Sequence, residues 1–79
     1  MLRIINFYVV RLTKNGEVFD SSVNAKSALQ AINKSKKEFP KVVGLLIFKS
    51  HEDFFFKEKI LASWFDKEYL LSEIDHEII

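Results

Sequence analysis

Apolar residues dominate positions 3–13, with Arg3, Asn6 and Arg11 set among them. The preponderance of β-branched and aromatic types there predicts a strand. Asn15-Gly16 follows, the strongest short-range hairpin signal. A two-residue turn at that dipeptide sets Lys14 against Glu17, Thr13 against Val18, Leu12 against Phe19 and Arg11 against Asp20. In this register one face of the hairpin collects Tyr8, Val10, Leu12, Phe19, Val23 and Ala25. The other collects Ile5, Phe7, Val9 and Val18 together with an Arg11–Asp20 pair, and opposite charges directly across a ladder are favourable.

Ser27-Ala28-Leu29-Gln30 is a capping-box pattern. It opens a helix over Ala28 to Glu38, in which Ala28, Leu29 and Ile32 keep helical spacing. Lys34, Lys36 and Lys37 crowd its last turns, where positive charge suits the macrodipole, and Pro40 stops it. Val42 to Phe48 has no polar face, the pattern of a central strand covered on both sides. Ser50 to Asp53 reads as a polar turn, and Phe54-Phe55-Phe56 as a short fourth strand antiparallel to the third. Beyond it the composition is helical, with Asp66 as the cap of a helix from Lys67 to about Glu77, while residues 58–65 fit helix, loop or strand. The expected fold is α+β: a single domain over residues 1–79, ββα-ββα, with a mainly antiparallel sheet, one helix on one face and a C-terminal helical segment.

Val23 to Ala31, following the Asn-Gly hairpin, resembles the strand-into-helix junction common in small ββα-type proteins, many of them phage- or plasmid-borne. That resemblance implies a fold and no activity. A mobile-element accessory protein, such as a phage inhibitor, is consistent with it.

Composition narrows the chemistry. Eight Phe, two Tyr and one Trp supply a dense apolar core for a chain with no Cys for disulfides or structural zinc. No secretory signal is visible, and the longest apolar run is too short to span a bilayer, so the cytoplasm is the expected location and no membrane partner is expected. His51 and His76 each have acidic neighbours but no metal-ligand spacing. The two glycines, Gly16 and Gly44, cannot make a phosphate-cradling loop, and no serine has a nucleophile-elbow context. No catalytic, cofactor or metal residues are therefore assigned, and an enzyme is not expected.

Charge is asymmetric. Residues 1–49 hold nine Lys or Arg against three Asp or Glu, a net of +6, and residues 50–79 hold three against eight, a net of −5. Arg11, Lys34, Lys36, Lys37 and Lys41 form a candidate nucleic-acid surface, and the acidic half is a candidate nucleic-acid mimic. The leading expectation is a protein-binding module, an inhibitor or adaptor, that meets another protein or a second copy of itself through Ile5, Phe7, Val9 and Val18, a face that the C-terminal helix would otherwise cover.

Overall fold

Strand β1 (Ile5–Thr13) and strand β2 (Val18–Ala25) form the N-terminal hairpin in a computed structural model that describes residues 3–69. Their turn is longer than two residues. Gly16 N–H donates to the Thr13 carbonyl at 3.0 Å, Thr13 N–H donates to the Glu17 carbonyl at 2.9 Å, and Gly16 has φ +84°. This is a three-residue loop whose left-handed position needs glycine. The Thr13 hydroxyl accepts the Glu17 N–H at 3.2 Å.

The extra loop residue shifts the register by one from the expected pairing. Leu12 faces Val18, Arg11 faces Phe19 and Val10 faces Asp20. A shift of one residue exchanges the faces of one strand relative to its neighbour. Phe7 now shares a face with Val23, and Ile5 with Ala25.

Helix α1 (Ala28–Glu38) has the bounds expected of it. Ser27 Oγ accepts the Gln30 N–H at 3.1 Å. Gln30 reaches back, but to the N–H of Lys26 at 2.6 Å, one residue before the cap. Strand β3 (Val42–Phe48) pairs antiparallel with β1 on one side and with β4 (Ala62–Phe65) on the other. The antiparallel sheet has the order β2-β1-β3-β4, so β3 is central, as its unbroken apolar run predicts. The core lies between α1 and one sheet face, where Ala31 and Ile32 pack over Phe7, Val9, Ala25, Leu45 and Ile47.

The fourth strand needs correction. Phe54-Phe55-Phe56 is not a strand: His51–Phe55 is a 3-10 helix, followed by a second at Lys57–Lys59. Asp53 N–H donates to the Ser50 carbonyl and Phe56 N–H to the Asp53 carbonyl, closing turns at the two ends of the first. The strand antiparallel to β3 is formed later, within residues 58–65. Over the described residues the order is therefore ββαβ, two short 3-10 helices, then β. Asp66 caps the next segment as expected, its Oδ1 accepting the Tyr69 N–H at 3.1 Å, and residues 67–69 are helical. The remainder of the expected C-terminal helix lies outside the described residues.

Candidate interaction surface

The observed register decides which apolar side chains lie on the sheet face away from α1. Alternation along each strand sends Tyr8, Val10, Leu12, Val18, Gly44, Leu46, Phe48 and Phe65 to the sheet face opposite α1. The expected patch of Ile5, Phe7, Val9 and Val18 is divided by the same alternation. Phe7 is 3% exposed and Val9 fully buried beneath α1, Ile5 packs against that core, and Val18 is 61% exposed on the opposite face.

One end of this second face is closed by aromatic rings. Tyr8 and Phe48 are cross-strand neighbours, with ring centroids 6.2 Å apart. The 3-10 helix places Phe54 edge-on against both, at 6.2 and 5.8 Å. His51 meets Tyr8 at 5.1 Å and Phe55 at 6.2 Å. These contacts place His51 in an aromatic cluster, and among the described residues no group of three or more His, Cys, Asp or Glu is arranged to hold a metal ion. His76 lies outside the described residues. The Tyr8 hydroxyl donates to Asp20 Oδ2 at 3.1 Å. Desolvation, followed by that hydrogen bond and the Asp20 charge, pushes the Tyr8 pKa above its ordinary value of 10.0.

The other end is open. A hollow of about 260 Å³ is lined by Val10, Leu12, Val18, Leu46, Phe54 and Phe65, over Gly44. Gly44 admits the Phe65 ring, since a Cβ there would lie 2.8 Å from its Cδ1 and Cε1. Phe54 and Phe65 are each about two-fifths exposed, at 41% and 38%. Phe55, Phe56 and Leu61 add further exposed apolar side chains. Leu12, Leu46 and Phe65 were not singled out by the sequence as a surface. The signal that pointed to them was the absence of a polar face in Val42 to Phe48, which requires apolar residues on both sides of the sheet.

The five candidate nucleic-acid residues do not act as one set of free cations. The Arg11 guanidinium carbon lies 3.6 Å from the centroid of Phe39 and 5.5 Å from that of Phe19. Its expected partner Asp20 faces Val10 instead, because of the register shift. Arg11 Nε is buried with no hydrogen-bond partner among the described residues. Lys34 Nζ donates to the Asn24 carbonyl at 2.6 Å, and Lys36 Nζ lies 4.5 Å from the Trp64 ring centroid. Lys37 and Lys41 are exposed. Arg11, Phe39, Lys41 and Val42 also border a second hollow of about 320 Å³, on the side of α1's C-terminal end.

No described helix is long and apolar enough to cross a membrane. No protein-family model, no curated protein and no solved structure matches this chain.

Proposed function

We propose that this chain is a non-enzymatic protein-binding module, an inhibitor or adaptor, that engages its partner through the sheet face opposite α1. The observation that carries the reading is the open apolar hollow bordered by exposed Val18, Phe54 and Phe65. Contiguous exposed apolar surface on a small domain marks an interaction site, and aromatic side chains concentrate at the energetic centres of interfaces. The nucleic-acid alternative loses support because Arg11, Lys34 and Lys36 are engaged by Phe39, Asn24 and Trp64. A second copy of the chain is one candidate partner.

Affinity capture from the native cell tests this reading with three forms of the chain. Wild type and Lys37→Glu should retain the same protein, and Val18→Asp should lose it. Val18 is exposed, so its substitution should not unfold the domain. Retention unaffected by Val18→Asp contradicts the reading. So does salt-sensitive retention of DNA or RNA in place of a protein, since phosphate contacts release counterions.

A further inference from the structure

We propose that the outer edge of β2 takes up an extended segment of the partner polypeptide as a fifth strand, with a Lys or Arg of that segment opposite Asp20. This rests on the protein-binding reading and specifies how the partner is held.

Among the described residues the strand order leaves β2 and β4 at the edges. β4 has four residues, whereas β2 has eight in continuous register with β1, and contains neither Pro nor Lys. Short length, Pro, charged side chains (Lys above all) and bulges are the usual protections of a sheet edge, and of these β2 has Asp20 alone. The Thr13–Glu17 hydrogen bond identifies which pairs of this ladder exchange bonds, and the pattern alternates from there through Arg11/Phe19, Val9/Ser21 and Phe7/Val23. The N–H and C=O groups of Val18, Asp20, Ser22 and Asn24 therefore point away from β1. At Asn24 the outward carbonyl is taken by Lys34 Nζ, so α1 closes that end. The outward backbone groups of Val18, Asp20 and Ser22 have no partner among the described residues.

Charge selects the occupant. Asp20 is the one charged side chain in Val18–Ala25, and it is exposed. If two copies paired antiparallel through all three open residues, Asp20 would stand opposite Asp20, and like charges directly opposite are destabilising. Sliding the copies by two residues brings in either Asn24, whose carbonyl Lys34 already occupies, or Gly16 of the turn, whose N–H is bound to the Thr13 carbonyl. A foreign strand with a cation at that position meets neither obstacle. Its residue opposite Val18 would sit at the rim of the hollow, so edge and hollow serve one partner.

Amide hydrogen exchange of the labelled full chain tests the inference with two synthetic peptides, Val-Thr-Val-Lys-Val-Thr-Val and the same sequence with Glu in place of Lys. Saturating Lys peptide should slow exchange at Val18, Asp20 and Ser22 by about tenfold or more, and leave Phe19 and Ser21 unchanged. It should bind about threefold more tightly than the Glu peptide, with the preference reversed in Asp20→Lys. Unchanged exchange at all three amides with both peptides overturns the proposal. Protection of those amides without peptide overturns it too: if it grows with protein concentration the occupant is a second copy, and if it does not the occupant is this chain's own. Peptide-induced shifts confined to Leu12, Leu46 and Phe65 overturn the edge inference yet leave the protein-binding reading standing. That reading fails separately, through capture insensitive to Val18→Asp.

Discussion

The ring of Phe65 rests on Gly44, closely enough that a methyl group at residue 44 would lie 2.8 Å from two ring carbons and 3.3 Å from Leu12 Cβ. The contact joins β3 to β4 on the face that carries the open hollow. Gly44→Ala should destabilise the domain by about 1–3 kcal/mol, the range for overpacking a close contact. Urea denaturation checks this. In a Phe65→Ala background the same substitution should cost less, because the principal obstruction is gone.

Desolvation of Tyr8, together with its hydrogen bond to Asp20, predicts a loss of stability in alkali. A pKa raised in the folded state means that folding favours the neutral phenol. The stabilising contribution is complete below the unfolded value near 10.0 and is lost as pH rises through the higher folded value. The chain has two tyrosines, so phenolate absorbance in a Tyr69→Phe variant follows Tyr8 alone. Its midpoint should lie above 10.0, and Asp20→Asn should lower it without removing the part due to burial.

The stacked Arg11 and Phe39 should be coupled. Arg11→Met and Phe39→Leu should each destabilise by about 1 kcal/mol, with an interaction term of about 0.5–1 kcal/mol in a double-mutant cycle. Additive losses would show that the 3.6 Å approach contributes packing without a specific cation–ring attraction.

Ser27→Ala should lower stability by about 1 kcal/mol, since it leaves the Gln30 N–H without its acceptor. Ser27→Asp should preserve most of it. Thermal unfolding by circular dichroism distinguishes the two.

The α1 boundaries and the central place of β3 were legible because their determinants are local: a Ser cap, a Pro stop and an uninterrupted apolar run. The hairpin register was not. Asn15-Gly16 suits both a two-residue turn and a three-residue loop with glycine at its left-handed position. The choice lies in Phe7, Val9, Val23 and Ala25 packing together against α1, which is a tertiary preference. The Phe54–Phe56 triplet misled for a related reason. Strand propensity mostly reflects how side chains pack on a sheet, and here Phe54 packs on Tyr8 and Phe48 from a 3-10 helix. As a result, the expected partner face became the core, and of its four residues Val18 alone belongs to the surface now proposed.

Because the proposed surface depends on that register, cross-strand Hα–Hα contacts measured by nuclear Overhauser spectroscopy test the account most directly. Pairs that do not exchange hydrogen bonds bring their Cα atoms closest, so strong contacts are predicted for Leu12–Val18, Val10–Asp20 and Tyr8–Ser22. Contacts for Thr13–Val18, Arg11–Asp20 and Val9–Ser22 instead would restore the two-residue turn, set Val18 beside Ile5, Phe7 and Val9, and contradict the account.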